Sequence, residues 1–181
     1  MLELYLGPMF AGKTTHMIRS YKTNESDEKI AIDYNGDATT PFLNDMLNHN
    51  NVALRGVYNT LRLNDLWSFV HDAKLTIHRA KYIYINECQF FGDLKEFVLK
   101  CLKENKHVYL FGLDGDFKQQ LFGQTTELIP YCTYIEKVKG VCHTCSNPSI
   151  ASYRTTKSED LVILDSSQYI PLCLECLQDT Y

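Results

Sequence analysis

For about its first 140 residues the chain alternates short apolar runs with longer stretches of helical periodicity. "LELYLG" (2–7), "KIAIDY" (29–34), "KYIYIN" (81–86) and "HVYLFGL" (107–113) read as strands, the last apolar on both faces as in a central parallel strand. Between them, helical spacing puts Met17, Ile18 and Tyr21 on one face of a helix from Lys13 to about Asn24. A second helix is expected over roughly 64–77, with Leu66, Phe69, Val70 and Ala73 in phase and Asn64 or Thr60 as cap. A third covers "DLKEFVLKCLKEN" (93–105), with Leu94, Phe97, Val98 and Leu102 inward. Residues 34–50, rich in Asn, Asp, Thr and Pro, read as loop with one turn of helix. This alternation predicts an α/β fold: a parallel sheet with helices on both faces.

After Lys139-Gly140 the pattern changes. Short strands ("ASYR", "DLVIL", "QYIPL") lie between two CxxC pairs, predicting a main domain over 1–140 and a small domain over 141–181. The second is too short to bury a good core alone.

Composition narrows the function. The chain has 181 residues, 45% hydrophobic and 22% charged, with a net charge of −4. That balance argues against a phosphate-backbone binder, so no nucleic-acid partner is expected. No apolar run approaches the roughly 18 residues of a membrane span, and "MLELYLGPMF" lacks the basic head and apolar core of a secretion signal. No membrane association and a cytoplasmic location are expected.

"GPMFAGKT", Gly7 to Thr14, matches G-x-x-x-x-G-K-[ST] between a predicted strand and a predicted helix. In such a loop successive N–H groups curve around a phosphate and the helix N-terminus adds its positive end. Lys13 would bring a charge to the β and γ phosphates of ATP, and Thr14 a hydroxyl to Mg2+. "IYINECQFF" (83–91) reads as a buried strand entering a polar turn. Glu87 would project from the same sheet edge, where ligands bind in open α/β sheets, and act as general base. Asn86 keeps a carbonyl oxygen that can hold a magnesium-bound water, and Asp33, Asp37 and Asp114 are further carboxylates near strand ends. Phe90, Phe91, Phe117 and Phe122 follow strand ends and read either as core or as flat walls for a nucleobase.

Four of the seven cysteines form the pairs Cys142/Cys145 and Cys173/Cys176, with residues 146–172 between. Four thiolates suit a closed tetrahedral zinc site, and zinc would supply the cohesion the tail lacks. An iron–sulfur centre or redox dithiols are the alternatives. His143 reads as a bystander, and Cys88, Cys101 and Cys132 as packed thiols.

Taken in order, "GPMFAGKTT", "NECQFF", "GLDGDF", Phe122-Gly123 and the two CxxC pairs resemble the thymidine kinase family of the zinc-containing type found in animals, bacteria and large DNA viruses. The resemblance covers nearly the whole chain. It implies a RecA-like phosphate-loop sheet plus a small zinc-binding lasso domain, and transfer of the γ-phosphate of ATP to the 5′-hydroxyl of thymidine. By the same resemblance, Glu87 is the general base; Gly7, Pro8, Met9, Phe10, Ala11, Gly12, Lys13 and Thr14, with Asn86 and Gln89, serve the ATP phosphates and Mg2+; and Asp37 lies near the transferred phosphate. Met9, Phe90, Leu113, Phe117 and Phe122 would wall the base pocket. Asp160, Leu161, Val162, Ile163 and Leu164 match a lasso strand that reads the base through its backbone, Tyr169 matches a lasso tyrosine, and Cys142, Cys145, Cys173 and Cys176 match the zinc ligands. The resemblance further implies deoxyuridine as a second substrate, thymidine triphosphate (dTTP) as feedback inhibitor, and a homotetramer.

The sequence departs from the family in three places. Asn86 replaces an aspartate. Leu164-Asp165 replaces paired glycines, so that the lasso would curve differently. Arg154 replaces a small hydroxyl residue, where it would contact phosphate or alter base choice. The lasso changes motivate a rival with a broader range of pyrimidine deoxynucleosides. Asn86 motivates a second rival, a nucleotide-binding regulator without catalysis.

Overall fold

The computed structural model describes residues 1–34, 46–47, 53–54, 60–63, 65–67, 79–163 and 165–180. Its centre is a six-stranded sheet, all parallel: β1 (Leu2–Leu6), β2 (Lys29–Tyr34), β5 (Thr60–Leu63), β6 (Tyr82–Ile85), β7 (His107–Gly112) and β8 (Tyr134–Lys137), in the order β5-β2-β6-β7-β1-β8. β7 therefore lies between β1, which leads into Gly7–Thr14, and β6, which leads into Asn86 and Glu87. Two short strands, β3 (Met46–Leu47) and β4 (Ala53–Leu54), pair antiparallel outside it.

Period-two alternation gives the sheet two different faces. Leu2, Leu4, Leu6, Ile30, Ile32, Ile83, Ile85, Val108 and Leu110 form an aliphatic face. Helix α2 (Leu94–Lys103) packs Leu94, Phe97, Val98 and Cys101 on it. The other face is aromatic: Tyr5 stacks on Phe111 at 4.8 Å and Tyr84 on Tyr109 at 4.5 Å. Helix α1 (Lys13–Thr23) covers part of this face with Met17, Ile18 and Tyr21. Each of these large side chains contributes about 1.5–3 kcal/mol by burial. α1 and α2 fall where their apolar periodicity predicts; Leu102 is only partly buried, and Cys101 takes the inward place beside it. The expected helix over 64–77 lies largely outside the described residues. Thr60 belongs to strand β5, so among its two candidate caps Thr60 is excluded.

The tail forms a separate small cluster. β9 (Gly140–Val141) pairs with β10 (Pro148–Ser149), and β11 (Ala151–Arg154) with β12 (Tyr169–Leu172). Helix α3 (Leu174–Gln178) closes the chain. The apolar core here is Ala151, Leu172, Leu177 and the neighbouring cysteines. "DLVIL" is not a strand: residues 160–163 are irregular and Leu164 lies outside the described residues. The carbonyls of Asp160 and Leu161 turn to Arg154 rather than to a neighbouring strand.

Candidate active site and metal centre

The carboxyl edge of the sheet brings the phosphate loop and the strand-end turn together. Gly12 caps α1 in the left-handed region, at φ 81°. Gly7 has no room for a side chain, since a Cβ would lie 2.1 Å from the Val138 carbonyl oxygen, so the loop leans on the segment after β8. Lys13 is buried and its Nζ donates to the Pro8 carbonyl at 2.7 Å. Burial pushes its pKa down, while the nearby carboxylates of Glu87 and Asp114 act to raise it. The Asp114 carboxylate also pairs with Lys137 at the end of β8.

Glu87 stands where β6 ends, with a left-handed backbone (φ 49°, ψ 39°), an uncommon conformation for a residue with a side chain. Gln89, 3% exposed, fixes its carboxylate. Gln89 Nε2 donates to Glu87 Oε2 at 2.7 Å, while the Leu113 N–H donates to Gln89 Oε1 at 2.9 Å. The glutamine thus joins the turns after β6 and β7. Sequence reading grouped it with the nucleotide phosphates; here its amide is engaged with Glu87 and Leu113.

Asn86 is buried and bridges two elements. Its Nδ2 donates to Asp33 Oδ1 at 3.0 Å, and the Thr14 hydroxyl donates to its Oδ1 at 3.4 Å. The carboxyl group of Asp33, on β2, thus lies one hydrogen bond from position 86. Asp37 lies outside the described residues.

Of the aromatic residues, Phe91 is fully buried in the aliphatic core and is a packing residue. Phe90, Phe117 and Phe122 are half-buried, as are Met9 and Leu113. Phe90 stacks on Tyr34 at 4.8 Å and meets Phe122 edge-on at 5.5 Å. The Met9 N–H donates to Ser152 Oγ on β11 at 2.8 Å, a direct tie between the phosphate loop and the tail that sequence reading missed. Tyr169 is buried on β12 opposite Arg154. Arg154 does not point its charge at the phosphate loop: its guanidinium is taken up by the carbonyls of Ser158, Asp160 and Leu161, by Tyr169 and by Phe117. Asp165 has an ordinary φ of −71° and its carboxylate accepts from the Ser167 N–H, so this position does not require glycine.

The four Sγ atoms of Cys142, Cys145, Cys173 and Cys176 lie within 4.8 Å of one another. Zinc–sulfur bonds of about 2.3 Å in a tetrahedron put sulfurs roughly 3.8 Å apart, so this set fits a zinc ion. The Cys176 N–H points at Cys173 Sγ at 3.5 Å, which suits a thiolate. His143 is outside the cluster, as expected. Burial pushes the Cys88 thiol up, and Cys101 to about 12, so both are packed, inert thiols.

A glycine-rich loop and helix N-terminus at the carboxyl edge of a parallel sheet, with a carboxylate beside them, define a phosphate-loop α/β protein. The comparisons narrow the class. A family model described as thymidine kinase matches residues 1–177. The chain is 31% identical to a thymidine kinase of Amsacta moorei entomopoxvirus, over 99% of both chains. It is 30% identical to thymidine kinase a of Arabidopsis thaliana, over 95% of this chain and 72% of the relative. It is also 30% identical to thymidine kinase 1 of Dictyostelium discoideum, over 97% and 76%. The chain belongs to the thymidine kinase family. Among the described residues no helix is long and apolar enough to cross a membrane.

Proposed function

We propose that this chain transfers the γ-phosphate of ATP to the 5′-hydroxyl of thymidine, giving thymidine monophosphate. Membership of the thymidine kinase family carries the activity. The arrangement of the site supports the roles. The observation that weighs most is the Glu87 carboxylate held by Gln89 at the carboxyl edge of the sheet, the edge to which β1 delivers Gly7–Thr14.

In this reading Gly7–Thr14 cradle the ATP phosphates, and Lys13 neutralises charge on the transferred group. Glu87 accepts the proton of the thymidine 5′-hydroxyl, or orients that hydroxyl for in-line attack. Thr14 and Asn86, backed by Asp33, are the groups that would hold Mg2+ and its waters; the ion would stabilise charge on the phosphates. Met9, Phe90, Leu113, Phe117 and Phe122 wall the base, Tyr169 packs near it, and Asp160–Ile163 lie over it. Zinc on the four cysteines has a structural role. We further assign a kinase domain to residues 1–140 and a zinc-binding lasso domain to 141–181. Deoxyuridine as second substrate, inhibition by dTTP, a homotetramer and a cytoplasmic location complete the proposal.

The test is transfer of labelled γ-phosphate to thymidine, deoxyuridine and deoxycytidine in turn. Thymidine and deoxyuridine are expected to accept it. Equal use of deoxycytidine would favour the broader pyrimidine range. Transfer to none of them, with ATP still bound, would favour a regulatory nucleotide binder.

A further inference from the structure

We propose that Arg154 is a positioning residue that latches the lasso closed before nucleoside arrives. The placement of thymidine under that lasso rests on the function proposed above; the latch itself does not.

Arg154 ends strand β11 and is only 4% exposed. A charge so buried must replace its hydration with other partners. It does so almost wholly from one loop. Nη1 donates to the carbonyls of Ser158 (3.1 Å) and Asp160, and Nη2 donates to the Leu161 carbonyl at 3.2 Å. Nη2 also donates to Tyr169 Oη at 2.5 Å. The guanidinium carbon lies over Phe117, 3.5 Å from the ring centre, which ties it to the turn after β7. The remaining donor, Nε, is buried with no acceptor, so the charge depends on keeping the others.

Three parts of the chain therefore meet at one side chain: the tail strand, the lasso loop 158–161 and the main-sheet turn at Phe117. Opening the lasso would remove three carbonyls from a cation that is anchored elsewhere, by β11 and by its contact with Phe117. A second tie crosses the same joint, where Lys118 pairs with Glu159 at 2.7 Å. That pair is exposed and contributes little. The geometry points to Arg154 as the main latch. A small hydroxyl residue could reach at most one of these carbonyls.

Trypsin cleavage after the exposed Lys157, without nucleoside, reads lasso opening directly. Arg154→Thr is expected to be cut there about tenfold faster than wild type. Arg154→Lys should fall between, since an ammonium keeps the charge without the planar fork. With thymidine under the lasso, the thymidine KM of Arg154→Thr should rise about tenfold while the ATP KM stays within about twofold. Equal cleavage of wild type and Arg154→Thr would overturn the latch. Faster cleavage with an unchanged thymidine KM would uphold the latch and remove thymidine from beneath the lasso. Should Arg154→Thr lose its zinc, Arg154→Lys decides: intermediate cleavage upholds the latch, and wild-type cleavage overturns it.

Discussion

Asn86 hydrogen-bonds Asp33 on one side and Thr14 on the other, so exchanging its amide for a carboxylate costs stability unless Asp33 changes too. Asn86→Asp alone sets two buried carboxylates against each other and removes a hydrogen bond to a charged group. That should cost about 2 kcal/mol and lower the Tm by roughly 4–8 °C. Adding Asp33→Asn should restore most of the stability, because the hydrogen bond re-forms with its charge moved to position 86. The double variant should then need less magnesium for half-maximal activity. Thermal melts and magnesium titrations of the two variants check this; an unperturbed single variant would contradict the bridge. The carboxylate on β2 was visible in the sequence as Asp33 at a strand end, but its partner was not. Which residues of neighbouring parallel strands face each other depends on register, and no local pattern encodes that.

Gln89 works between elements. It ties the turn after β6 to the turn after β7 through Glu87 and Leu113. Gln89→Leu frees the Glu87 carboxylate, and misplacement of a reacting group costs up to about a hundredfold in rate. The expected result is kcat lower by one to two orders of magnitude with ATP KM nearly unchanged; equal falls in ATP affinity would instead return Gln89 to the phosphates. At this scale the sequence was informative where burial drives the pattern. β1, β2, β6 and β7 are largely apolar runs with one face buried and the other partly covered, and each was recognisable. β8 was not: Tyr134 and Ile135 are 48% and 45% exposed, and a short Tyr-Ile-Glu-Lys segment at a sheet edge becomes a strand only by pairing with β1. β5 was hidden likewise, as its strand character comes from pairing with β2. "DLVIL" erred the other way, since its β-branched composition suggested a strand while Arg154 draws its first carbonyls aside.

At the scale of the molecule, the small lobe is held by four cysteines and a minor apolar cluster, yet it touches the phosphate loop through Ser152 and the sheet turn through Arg154. The spacing of the cysteine pairs made the four-thiol cluster legible, but not these contacts, which join residues far apart in the chain. Zinc binding contributes roughly 10–16 kcal/mol to folding in small zinc modules. About one zinc per chain is therefore expected by metal analysis, and its removal by a strong chelator should lower the Tm and abolish thymidine turnover together. Full stability after proven removal of the metal would contradict a structural role.

In the proposed reaction Glu87 serves the reacting hydroxyl of thymidine. Single-turnover transfer of γ-phosphate to thymidine, comparing wild type with Glu87→Gln at saturating ATP, tests it most directly. The variant is expected to be slower by about 10²–10⁴, with ATP affinity nearly unchanged. A Glu87→Gln enzyme that transfers phosphate at the wild-type rate would contradict this role.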